Sequence, residues 1–141
     1  MQMWKVFVVG MFLVALVALI VWQNSSNDEG DPKIEELQKI ISPIFQKPKY
    51  RNVLNGVSIY KGSKSCTVDK KKIYLCLFDR DGNYYPNMML IYVLLHEISH
   101  IICGSIGHTP EFDKIFEDLI QEAVSQGIYE VNYPIIDNYC T

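Results

Sequence analysis

His96-Glu97-Ile98-Ser99-His100, followed eight residues on by His108, is the stretch that decides how this chain reads. The protein has three histidines, and all of them fall here. An α-helix turns about 100° per residue, so side chains four apart return to nearly one face. A helix through this stretch would aim His96 and His100 at one point, with Glu97 beside them. That spacing suits two imidazoles holding a zinc ion while a carboxylate acts as base on a water.

The flanks favour a helix. Asn87, after Pro86, reads as an N-cap, and Met88 to Leu95 is an unbroken apolar run. Ile98, Ile101, Ile102 and Cys103 continue it, and Gly104 supplies a stop. A helix apolar on nearly every side belongs in the interior. There an ionised Glu and two imidazoles would cost several kcal/mol if left unpaired. A divalent cation offsets that cost. The plainer alternative is a pair of hydrogen-bonded core histidines on an ordinary helix.

Outward from this helix, Gly104 and Gly107 permit a sharp loop, and Thr109 caps a next helix with Pro110 at its first position. Phe112, Ile115, Phe116, Leu119, Ile120, Ala123 and Val124 form its apolar stripe, with Gly127 at the end. His108, held just before this element, reads as a third ligand. A carboxylate on the helix itself, Glu117 or Glu122, is the alternative.

The chain has 141 residues, enough for one domain with its own core and not two. Val6 to Trp22 carries no charge and is bracketed by Trp4 and Trp22. With Met3 and Trp4 it reaches the roughly 20 residues that cross a ~30 Å hydrocarbon layer. A cleaved signal peptide fits less well, because Val21-Trp22-Gln23-Asn24 is a poor cleavage site. The expected organisation is a transmembrane anchor over 1–23, a polar linker over 24–31 and a folded domain over 32–141. The expected localisation is a single-pass membrane protein with its domain on the non-cytosolic side, where the sequon Asn24-Ser25-Ser26 would also lie.

Asp31-Pro32 opens a helix with Ile34, Leu37, Ile40, Ile41 and Ile44 on one face, ending near Ser42-Pro43. Val53, Val57, Ile59 and Tyr60 read as a first strand broken at Asn55-Gly56, and Ser65–Val68 with Lys72–Phe78 as a hairpin. Strands between helices, without βαβ alternation, make the class α+β. The tail after Ile128 reads as an irregular strand over the core.

Four cysteines, Cys66, Cys76, Cys103 and Cys140, permit two bridges or none. Cys66 and Cys76 are placed to face each other across the hairpin, and Cys103 looks like a buried filler. No C-x-x-C pair is present, which argues against a cysteine zinc site.

Net charge is −3, but unevenly spread. Lys47 to Arg80 carries nine Lys or Arg against two acids, whereas Glu97 to Thr141 carries eight acids against one Lys. The basic block is either a footprint for nucleic acid or anionic lipid, or a solvated hairpin tip with polar strand faces.

Taken together, Leu95-His96-Glu97-Ile98-Ser99-His100 and Gly107-His108-Thr109-Pro110-Glu111-Phe112 resemble the SprT-like and WLM zinc metallopeptidases, over about Lys72 to Ile120. In that family an H-E-x-x-H helix is followed by a third His opening an H-x-P-x-F segment. The resemblance implies a minimal zincin-like fold: a helix, a small antiparallel-rich sheet, the H-E-x-x-H helix and a following helix. It implies Zn2+ on His96, His100 and His108, with Glu97 catalytic on a zinc-bound water. The expected activity is peptide-bond hydrolysis on a protein or peptide substrate by a membrane-anchored enzyme. A zinc-stabilised binding module without catalysis, and a protease acting on nucleic-acid-bound proteins, are the rival expectations. Tyr84, Tyr85 and Tyr133 are the candidates for an oxyanion donor.

Overall fold

In the computed structural model, which describes residues 3, 8, 10, 11, 13–20 and 30–140, the chain divides into two compact units, Met1–Gly30 and Asp31–Thr141. The described residues of the first unit before Gly30 are helical, with 13–20 the longest unbroken stretch. Among the described residues no helix is long and apolar enough to cross a membrane. A span needs about 20 consecutive apolar helical residues. The transmembrane helix expected over 1–23 is therefore corrected. Membrane partnership through that helix, and the single-pass location with a non-cytosolic domain, fall with it. Lys5, Trp4, Trp22 and the sequon Asn24-Ser25-Ser26 lie outside the described residues, as does the expected linker up to residue 29.

The second unit is α+β. Its first helix, α1 (Pro32–Phe45), starts as the residues dictate: Asp31 accepts a hydrogen bond from the Lys33 amide at 2.9 Å, and Pro32 needs no partner there. Ile34, Leu37, Ile41 and Ile44 are buried along one face. The helix runs two residues past Pro43, because Ile44 and Phe45 are buried and the bond that Pro43 cannot make lies on the exposed face.

Residues 46–57 form turns, not the early strand expected from Val53. Tyr50, Val53, Asn55 and Val57 each donate their amide three residues back. Pro48 and the positive-φ Gly56 favour such turns over extended pairing. The sheet begins only at β1 (Ser58–Lys61), followed by β2 (Cys66–Val68) and β3 (Lys72–Leu75), in the order β1-β3-β2. β3 pairs antiparallel with β2 and parallel with β1. The sheet is thus evenly mixed rather than antiparallel-rich, with β2 as a free edge. Asp69 and Lys70, both at φ near +50°, make the two-residue turn between β2 and β3, closed by the Lys71 amide on Val68 O at 3.1 Å. Two consecutive left-handed residues match the twist of the flanking strands.

Helix α2 (Asn87–Ile102) is the centre of the unit and touches α1, β2, β3 and a third helix, α3 (Pro110–Ser125). Leu90, Leu94, Leu95 and Ile98 are fully buried in it, each contributing roughly 1.5–3 kcal/mol relative to exposure. Asn87 does not cap it; Pro86 stands at that place, and the Asn87 side chain bonds Lys33 and Glu36 on α1. α3 is capped by Thr109, whose hydroxyl accepts from the Phe112 amide at 3.3 Å.

The tail folds as turns, not as a strand. Cys140 is disulfide-bonded to Cys76, so the expected pairing of Cys66 with Cys76 is corrected; Cys66 is an exposed free thiol and Cys103 a buried one. The register explains this, because Cys66 sits opposite Tyr74 in the hairpin. Beside the disulfide, the Tyr139 hydroxyl donates to Cys76 O at 2.6 Å, and Ser65 Oγ lies 2.7 Å from it. Burial pushes the Tyr139 phenol up to about 12.

Candidate metal centre

α2 brings His96 and His100 to one face, one turn apart, with ring centroids 5.1 Å apart. Phe112 and Phe116 of α3 form an apolar wall against them. The His100 ring stacks on Phe112 at 4.3 Å, and His96 meets Phe116 edge-on at 5.2 Å. The third histidine arrives from the loop between the helices. Gly107, at φ +81°, permits the reversal. Ser105 Oγ binds Thr109 Oγ1 at 2.7 Å and Glu111 Oε2 at 3.1 Å, anchoring the loop to the start of α3.

The result is a cluster in which His108 Nε2 lies 3.0 Å from His96 Nε2 and 3.2 Å from His100 Nε2. Among the described residues, one nitrogen from each ring lies within 4.8 Å of the others. A single ring nitrogen offers one proton or one lone pair, so His108 cannot satisfy both neighbours fully by hydrogen bonding. A cation taking all three lone pairs would. Burial, then the charges of His100 and His108, hold the His96 imidazole down to about 4. Burial, then His108 and Lys70, lower His100 as well. Both rings are therefore kept neutral, the form that coordinates a metal.

Glu97 is 6% exposed. Burial raises its carboxyl above the usual range, opposed by a hydrogen bond from Thr67 and by His108. Thr67 Oγ1 lies 2.7 Å from Glu97 Oε2 and 3.0 Å from Glu97 O. Nothing in the linear pattern connects Thr67 to Glu97, thirty residues away. The only available signal was a β-branched polar residue within a strand.

A cleft of about 600 Å3 opens over the cluster. His96, Glu97 and His100 lie at its base, with the β2–β3 hairpin on one side and Ser105 to His108 on the other. The Lys70 ammonium, on the hairpin tip, bonds Cys103 O at the end of α2. That contact ties the hairpin to the helix and places a cation where the helix dipole favours one.

The other sequence candidates lie elsewhere. Glu117 accepts from Gln121, and Glu122 pairs with Lys47 at 2.8 Å. Tyr84 donates to Asp31, and Tyr85 accepts from the Cys140 amide. Neither these two nor Tyr133 lines the cleft. Lys49 also reaches α3, at Asp118. Part of the basic block therefore meets the acidic half of the same unit, which weakens its reading as a nucleic-acid footprint.

No protein-family model matches the chain. It is 43% identical over 106 residues to "Uncharacterized protein 136R" of Invertebrate iridescent virus 6, covering 73% of this chain and 60% of that protein. It is 38% identical over 91 residues to "Uncharacterized protein 042R" of Invertebrate iridescent virus 3, covering 64% and 57% respectively. Against "Uncharacterized protein R325" of Acanthamoeba polyphaga mimivirus it is 35% identical over 89 residues, covering 58% and 45%. The chain thus spans between about half and three fifths of the length of these relatives. Among solved structures, it is similar in fold to a mutant of Wss1 from Saccharomyces cerevisiae. The TM-score is 0.54 and the identity 18%, over 68% of this chain and 81% of that one.

Proposed function

We propose that the chain is a zinc-dependent endopeptidase, with His96, His100 and His108 as the metal ligands and Glu97 as the general base. The observation that carries the reading is the convergence of three imidazole nitrogens beside a buried carboxylate, at the floor of an open cleft. Their spacings of 3.0 and 3.2 Å approach the roughly 3.3 Å edge of a tetrahedron with Zn–N bonds of about 2.0–2.1 Å. Three nitrogen donors leave a fourth position open, as catalytic rather than structural sites do. The likeness to the Wss1 structure supports the reading at the level of fold.

When bound, zinc would acidify a coordinated water and polarise the scissile carbonyl. Glu97 takes the proton from the attacking water and delivers it to the leaving amine. Its burial suits the task, because a carboxyl whose proton affinity is raised by desolvation is a better base than an exposed one. The Phe112 and Phe116 rings fix the imidazoles and keep bulk water from their far side. An extended substrate has room in the cleft between the hairpin and the 104–108 loop.

The test is metal analysis of the purified full chain together with hydrolysis of unfolded casein. Glu97→Gln is expected to retain zinc and lose about 10²–10⁴-fold in rate, the usual worth of a positioned base. Equal hydrolysis by the wild type and Glu97→Gln would reject the role. A zinc-loaded wild type that cuts nothing would favour the binding-module reading.

A further inference from the structure

Thr67 sits in the middle of the edge strand β2, with both Glu97 oxygens named above in reach of one hydroxyl. A hydroxyl carries a single proton. The Glu97 carbonyl lies inside α2, where a backbone amide four residues on serves it. The carboxylate is the stronger acceptor, and its 2.7 Å contact is the shorter of the two and a full-strength O–H···O bond. The strand that carries the hydroxyl is pinned at both ends. Lys70 ties its turn to Cys103 O, while Ser65, just before it, is engaged by Tyr139 and by the Cys76 amide. Between them Thr67 pairs across to the fully buried Ile73. A β-branched side chain in a paired strand has few χ1 rotamers, so the position of its Oγ1 beside Glu97 is preset, and the hydroxyl proton turns to the better acceptor.

We propose that Thr67 is a positioning residue for Glu97: it holds Oε2 against the hairpin so that Oε1 is kept for the attacking water. The chemical consequence rests on the peptidase reading above; the contact itself does not. Thr67→Val keeps shape and strand propensity and removes the proton, whereas Thr67→Ser keeps the proton. Two readouts on the full chain separate the possibilities.

The first is the thermal midpoint of metal-free protein in a double-mutant cycle with Glu97→Ala. Thr67→Val is expected to lower the midpoint by about 4 °C or more in the wild-type background and by much less once the carboxylate is gone. An equal drop in both backgrounds would mean that the hydroxyl serves only the backbone, and would overturn the proposal. The second is casein hydrolysis at matched zinc content. Thr67→Val is expected to lose at least about tenfold in kcat with KM unchanged, and Thr67→Ser to recover most of it. A Val variant as active as wild type, or a Ser variant as poor as Val, would likewise overturn it. Should the wild type cut no casein, the peptidase reading fails while the thermal cycle still decides the role of Thr67. If Thr67→Val does not fold, Thr67→Cys, with its weak donor, takes its place in both arms.

Discussion

Helix α2 holds His96 and His100 among side chains such as Leu94, Leu95 and Ile98, all 0% exposed, whereas Ile106, a few residues past its end, is 94% exposed and His108 is exposed with it. Both regions deliver imidazoles to one point, by different physics. The helical pair is set by burial, which no ligand needs to supply. The loop histidine is set by the positive φ of Gly107, the Ser105–Thr109–Glu111 hydrogen bonds and the ring contacts with its neighbours. On the proposed zinc reading, the contrast implies that the His96–His100 pair forms without metal and that a bound ion would secure the third imidazole.

The largest expected effect attacks the helix. Leu94→Ala should cost about 2–5 kcal/mol of unfolding free energy, read from urea midpoints, because a fully buried leucine leaves a cavity. A loss under about 1 kcal/mol would place the rigidity of the His pair somewhere other than packing. Next, His108→Ala should weaken zinc binding by at least about 100-fold in a chelator competition, beyond what outer-sphere changes do. The metal-free stability of that variant should stay within about 0.5 kcal/mol of wild type. A large loss of metal-free stability would mean that the loop is a structural element in its own right.

Acid sharpens the comparison further. The fold holds His96 neutral down to about 4 against an ordinary 6.5, and lowers His100 too. Over that interval the unfolded chain binds protons that the folded metal-free chain refuses, so stability falls as pH drops from about 6.5 to about 4. Glu97, raised by burial, binds a proton in the folded state first and works against the histidines. Glu97→Gln should therefore steepen the acid loss in urea titrations at stepped pH. A shallower profile in that variant would contradict the assigned directions. The smallest effect belongs to the loop tip: Ile106→Ala should change stability by no more than about 0.5 kcal/mol, and a larger change would show that the loop packs more than its exposure indicates.

Much of the site is legible in the chain because it is local. Four-residue spacing on an apolar run puts His96 and His100 on one face, and Thr109-Pro110 announces where the loop must end. Asp31-Pro32 marks the start of α1 for the same reason: a cap needs only its own neighbours. The misreadings are of another kind. Val53 and Val57 carry strand propensity, yet consecutive turns take their backbone groups. The run before Trp22 has the composition of a span, yet among the described residues no helix is long and apolar enough to cross a membrane. Cys66 and Cys76 looked paired by proximity in sequence, while Cys76 bonds a cysteine sixty-four positions away.

The residues by themselves determined the α+β class, the helix that carries the His pair and the cap that launches α3, since each depends on periodicity or on contacts within one turn. Only the tertiary structure decided that Thr67 reaches Glu97, that β1 returns parallel to β3, that Cys140 closes on Cys76, and how near His108 comes to the other rings. Those contacts join segments far apart along the chain. Their cost in loop entropy is offset only when the whole core forms, so no short window of sequence carries them.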